Sequence, residues 1–122
     1  MIKVLLIGLG GGLGSILRYL TQELSVRILP VTFPFGTFFV NVIGCFVIGL
    51  LFALTEKFAG FSAEWRLFLI TGVCGGYTTF STFSLESFSL VKEGNYAYFL
   101  VYVLASVVVG ILATVAGYFL FR

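Results

Sequence analysis

Two stretches of this chain, Ile28 to Thr55 and Gly94 to Phe121, each run for 28 residues without a Lys, Arg, Asp or Glu. A helix of roughly 20 apolar residues crosses the hydrocarbon core of a bilayer, so each stretch is long enough to span. A third uncharged run, Leu67 to Leu85, has 19 residues. A fourth, Val4 to Leu17, reaches full length only if Arg18 lies in or near the lipid. The pattern predicts an all-α membrane protein with four transmembrane helices, at approximately 4–24, 35–55, 65–90 and 96–121, in one domain over 1–122. Composition agrees, because 60% hydrophobic and 10% charged residues leave too little polar surface to coat a soluble domain of this size.

The same counts exclude several functions. Lys3 followed by apolar residues resembles a signal peptide, but no small-residue cleavage pattern follows Arg18, so the segment is expected to stay as the first span. With no His, and with Cys45 and Cys74 each inside an apolar run, a metal cluster, His-based proton transfer and a disulfide framework have no support. The hydroxyls have no His or buried Lys to activate them, so an enzyme is not expected. The net charge of +2 is scattered and forms no footprint for nucleic acid. Four alternating spans put Lys3, Lys57, Arg66 and Arg122 toward one face and Arg18, Arg27 and Lys92 toward the other. Four against three is a weak bias for orienting a chain. Insertion both ways, with antiparallel pairing, and a single orientation set by local effects both stay open on charge alone.

Each span carries polar or small residues that need a reason. In the first, Gly8/Gly12 and Gly10/Gly14 are glycine pairs four apart, which let another helix approach closely. A nucleotide fingerprint starting at Gly8 fails at Leu13, and no Walker lysine follows. Arg18, four residues beyond Gly14, either snorkels to the headgroups or lines a watery vestibule that attracts anions. Pro30 and Pro34 bracket the first loop, after which Thr37, Asn41 and Gly44 share one face of the second span. An amide in so apolar a run needs a partner or a wet cavity, so Asn41 is either interhelical glue or part of a binding or permeation site.

The third span is unusual in its middle, where Thr71 to Ser84 holds the adjacent glycines Gly75 and Gly76 and a dense set of hydroxyls. An interruption of the helix at the glycines, near mid-membrane, is expected, with an unbroken helix as the alternative. Opened backbone at that depth must meet protein, water or an ion, and freed carbonyls suit a cation. Beyond the glycines, Thr78 or Thr79, Thr82 and Glu86 recur at helical spacing as a polar stripe, with Phe80 and Phe83 beside it. A phenyl ring presents a positive edge to an anion while its apolar body keeps a passage narrow. Glu86, near an interface, is expected to stay solvated or to pair with a basic group. In the fourth span, Ser106, Gly110 and Thr114, with Ala113 and Gly117 beside them, mark a helix interface. Tyr96, Tyr98, Tyr102 and Tyr118 suit interfacial aromatic belts.

These features leave an ion channel, a small proton-coupled transporter and a structural membrane subunit. Four short helices enclose little polar space alone, and a second copy would supply the missing wall. Proton coupling needs an ionisable residue near mid-membrane, and the span-embedded candidates, Arg18 and Glu86, lie toward helix ends. Gly11-Gly-Leu-Gly-Ser-Ile-Leu-Arg-Tyr19, Phe35-Gly-Thr-Phe-Phe-Val-Asn-Val-Ile-Gly44 and Gly72-Val-Cys-Gly-Gly-Tyr-Thr-Thr-Phe-Ser-Thr-Phe83, with the four-span layout, resemble the Fluc (CrcB) family of bacterial fluoride channels over essentially the whole chain.

The resemblance implies a dual-topology antiparallel homodimer in the bacterial cytoplasmic (inner) membrane, contacting lipid and passing fluoride through two pores. It implies a structural Na⁺ at the dimer centre, held by the backbone carbonyls of Gly75 and Thr78, with no organic cofactor. It also implies Asn41 as the pore amide, Phe80 and Phe83 as the pore-lining rings, Ser81 and Thr82 as hydroxyls of the polar track, and Arg18 in the vestibule. The implied function is passive export of cytoplasmic fluoride. The alternative is a small dual-topology proton-coupled exporter, for which Glu86 is the only acidic candidate.

Overall fold

The computed structural model describes residues 1–121, and all its regular structure is helical. Helix α1 (Ile2–Ile28), α2 (Phe35–Lys57) and α6 (Tyr96–Leu120) are each long and apolar enough to cross a membrane. Between α2 and α6 the chain forms α3 (Ala63–Arg66), a π-helical stretch (Leu67–Cys74), α4 (Gly75–Tyr77) and α5 (Phe80–Lys92). Ser62 caps the start of α3, its hydroxyl accepting from the Trp65 N–H. The π geometry is evident where it ends, since the Gly75 N–H reaches the Ile70 carbonyl five residues back.

Glycines decide the packing. Gly10 lies against Phe68 and Gly72, Gly14 against Val73 and Tyr77, and Gly76 against Gly11, so α1 and residues 67–77 run in the same direction with bare backbones in contact. On the other side, Gly49 meets the Thr114 backbone, Gly117 meets Phe46, and Gly110 faces Cys45. Pairs 45/110 and 49/114 share an offset of 65, so α2 and α6 are also parallel to each other. Gln22 bonds Thr37 across the α1–α2 turn, so these two helices are antiparallel. The chain therefore reverses direction three times, with loops 29–34 and 93–95 at one end. At the opposite end, Leu6 of α1 lies beside Trp65 and Phe68. The glycine pair expected at Gly10/Gly14 is an interface, whereas an added Cβ at Gly8 or Gly12 would meet nothing within 4 Å.

Three expectations are corrected. The third span is interrupted, but not at Gly75-Gly76: Gly75 has helical angles, φ −62 and ψ −38, and the chain becomes extended at Thr78 (φ −81, ψ 157) and Thr79 (φ −151, ψ 117). The neighbouring glycines serve close approach to α1, while the two β-branched threonines adopt the extended backbone they favour. Tyr102 does not sit in an interfacial belt. It is fully buried, with its ring against Phe33 and Phe83 and its hydroxyl donating to Glu86 Oε1 at 3.0 Å. Glu86 thus pairs with a phenol rather than a base. Tyr118 donates to Glu56 at the opposite end of the bundle. Arg122, placed by charge with Lys3, Lys57 and Arg66, lies outside the described residues.

Candidate functional site

The break between α4 and α5 gathers the polar groups. Thr79 is the N-cap of α5, its hydroxyl accepting from the Thr82 N–H at 3.2 Å. In a continuous helix the Thr79 N–H would bond the Gly75 carbonyl. Here it donates to Asn41 Oδ1 at 2.9 Å, and Asn41 Nδ2 donates to the Thr79 carbonyl at 3.2 Å. The Asn41 carboxamide therefore takes both polar groups of one peptide residue, and the Gly75 carbonyl is released from its helical bond. Thr78 stays tied backward, its N–H and its hydroxyl both donating to the Cys74 carbonyl, at 3.0 and 2.9 Å. The Thr78 methyl occupies the place a side chain on Gly44 would need. Thr37, Asn41 and Gly44 do work from one face, as their spacing predicts: Thr37 is 1% exposed and accepts from Gln22 Nε2 at 3.1 Å.

Two cavities flank this break. One, of about 290 Å³, is lined by Asn41, Gly44, Gly75, Thr78, Thr79 and Phe80, among others. It brings to a single space the residues predicted to supply the amide, the two carbonyls and one of the rings. The other, of about 470 Å³, lies at the end of the bundle that carries loop 29–34 and is lined by Gln22, Thr37, Thr82, Glu86, Ser89 and Glu93, among others. Thr82 thus faces the second space and not the first.

The remaining predicted residues are dispersed. Phe83 lines neither cavity; its ring lies 5.7 Å from Phe80 and 5.0 Å from Tyr102. Phe80 is 79% exposed and Ser81 is exposed with its hydroxyl 3.5 Å from that of Thr79. Arg18 is half-buried on α1 and lines neither cavity. Among the described residues the one ion pair is Glu23 with Arg27, so no carboxylate neutralises Arg18.

Sequence reasoning missed three features. It assigned no chemistry to Ser106, yet the Ser106 hydroxyl is buried with no hydrogen-bond partner, and the 65-residue offset of α6 on α2 puts it at the level of Asn41. Tyr102 belongs to the same row as Ser106 and Gly110, four apart, and that spacing was the available signal for its burial. Tyr77, whose hydroxyl meets Thr21 Oγ1 at 3.0 Å, was read only as part of the hydroxyl-rich stretch.

The comparisons with known proteins cover nearly the whole chain. The family model described as CrcB-like protein, Camphor Resistance (CrcB), matches residues 5–118. A protein of Phocaeicola vulgatus named fluoride-specific ion channel FluC is 49% identical over 96% of this chain and 96% of its own length. Proteins with the same name from Bacteroides fragilis and Azobacteroides pseudotrichonymphae are 48% and 46% identical, over 98% and 97% of this chain and 96% and 94% of their own lengths. With a family match that leaves out only a few residues at either end, set on apolar helices long enough for a multi-pass membrane protein, this chain belongs to the CrcB family.

Proposed function

We propose that this chain is a passive, fluoride-selective ion channel that exports cytoplasmic fluoride. The observation that carries the reading is near-half identity, over almost full length, to proteins named fluoride-specific ion channels. Fluoride is small and strongly hydrated, so a narrow passage must replace its water with hydrogen-bond donors. Asn41 has one N–H beyond the one given to Thr79, and the Ser106 hydroxyl is a buried donor at the same level without a partner. Thr82 and Ser81 continue the hydroxyl track, Phe80 and Phe83 supply ring edges along it, and Arg18 is the unneutralised cation of the vestibule.

The finer architecture in this reading is four crossings, assembled as an antiparallel homodimer with two pores. Parallel packing of α1 with 67–77 and of α2 with α6 supports four crossings, because residues 63–92 must then carry the chain back across. A 79% exposed Phe80 beside an open cavity supports a second copy as the missing wall. A structural Na⁺ fits the break: the donors there are neutral oxygens, suited to a hard cation, and the Gly75 carbonyl has lost its helical partner. Gly75 and Thr78 of both copies would hold it, and bound there it would neutralise carbonyl dipoles that converge in lipid.

The test is efflux from fluoride-loaded proteoliposomes, followed with a fluoride electrode. Fast efflux with a potassium ionophore, little without it, and little chloride movement are expected of an uncoupled electrogenic channel. Obligatory proton coupling would support the exporter alternative, and equal chloride and fluoride rates would remove the selectivity.

A further inference from the structure

Thr78 sits between two residues that are tethered to different helices. On the α1 side, Tyr77 meets Thr21 at 3.0 Å. The Thr21 hydroxyl gives its single proton to the Leu17 carbonyl at 2.9 Å, so the Tyr77 phenol is the donor in that contact. On the α2 side, Asn41 holds both the N–H and the carbonyl of Thr79. Thr78 itself has its N–H and hydroxyl committed to Cys74, and its methyl is seated over Gly44. Its carbonyl is then the one polar group of Thr78 with no hydrogen bond among the described residues.

Two consecutive extended residues bring torsional freedom that a helix would have removed, and ordering them costs backbone entropy. A carbonyl that must ligate an ion gains nothing from that freedom. We propose that Thr21 and Asn41 are positioning residues, one on each arm of a fixture that holds Thr78 and so sets the direction of its carbonyl. Thr21 acts through Tyr77, and Asn41 acts through the Thr79 peptide. The inference rests on the reading of the Gly75 and Thr78 carbonyls as cation ligands, and it gives α1 a part in that site although α1 supplies no ligand to it.

The decisive variants are Thr21→Val and Tyr77→Phe, which remove the α1 tether without touching Thr78, Thr79 or any pathway residue. Site-resolved hydrogen exchange should show the Thr79 amide exchanging roughly fivefold faster in both, as expected for loss of one neutral hydrogen bond. The amides around Gly110 in α6 should be unchanged. In efflux assays over a sodium series, both variants should need more Na⁺ for half-maximal rate. Thr79 exchange at the wild-type rate in both variants would overturn the fixture, as would faster exchange with an unchanged sodium requirement and fewer active vesicles. A wild-type rate indifferent to sodium would instead overturn the cation reading, and exchange would then decide the fixture by itself.

Discussion

Tyr102 donates its hydroxyl to Glu86 Oε1 across 3.0 Å while having no exposed surface of its own, so the most buried large side chain of the bundle is polar at its tip. The contact ties α5 to α6, two elements that otherwise touch far less than α2 and α6 do. A buried phenol needs such a partner, because its unpaired hydroxyl would carry a desolvation cost.

Replacing Tyr102 by Phe keeps the ring contacts with Phe33 and Phe83 and removes only the hydroxyl. A stability loss of about 0.6 kcal/mol, and at most about 1.7 kcal/mol, is expected, these being the average and the maximum from double-mutant cycles on interhelical hydrogen bonds in a membrane protein. Unfolding in detergent should show it. An unchanged midpoint would mean that the Tyr102–Glu86 bond contributes nothing to joining α5 and α6.

The glycines of α1 separate into two groups that look alike in the sequence. An alanine methyl at Gly14 would overlap the Val73 carbonyl oxygen and approach the Tyr77 backbone within 3.0 Å, whereas at Gly12 it would meet nothing. Gly14→Ala should destabilise by about 1–3 kcal/mol, as overpacking does, and Gly12→Ala should not. Equal effects in a thermal-stability assay would contradict the α1 packing described above.

Asn41→Asp should slow fluoride efflux more than a neutral replacement of similar size. A carboxylate keeps the acceptor for the Thr79 N–H but removes both amide donors and puts negative charge beside the pathway. Phe80→Ile should lower flux without disturbing the fold of the chain itself, since Phe80 is 79% exposed within one copy. Near-normal efflux from both variants would show that the pathway has been assigned to the wrong residues.

Antiparallel pairing is checked by crosslinking. Residues introduced near Lys3 of one copy and near Lys92 of the other should join if the copies are inverted, because these positions lie at opposite ends of the bundle. An N-terminus labelled from one side of the cell membrane alone would exclude dual topology.

A sheltered cation at the break should appear as anomalous scattering from a heavier substitute ion between the two copies. Its density should vanish when Thr78 is deleted from the register by shortening the break, and a continuous helix through Thr78 and Thr79 would exclude it.

Much of this protein follows from composition along the chain. Uncharged runs of 28 residues can satisfy their backbone in lipid only as helices, so α2 and α6 were legible before any contact was known. Glycines four apart likewise announced a close helix contact, and Thr37, Asn41 and Gly44 declared a shared face. Periodicity relates residues within one helix, however, and says nothing about which neighbour each face meets. Gly10 and Gly14 differ from Gly8 and Gly12 only because residues 67–77 lie on one side of α1. The same limit moved the break from the glycines to Thr78 and Thr79: Asn41, 38 residues away, supplies the bonds that let the helix open there. Ser106 and Tyr102 became a lone donor and a buried partner for Glu86 only when α6 came to rest parallel to α2, because desolvation is decided by what surrounds a group and not by its place in the chain.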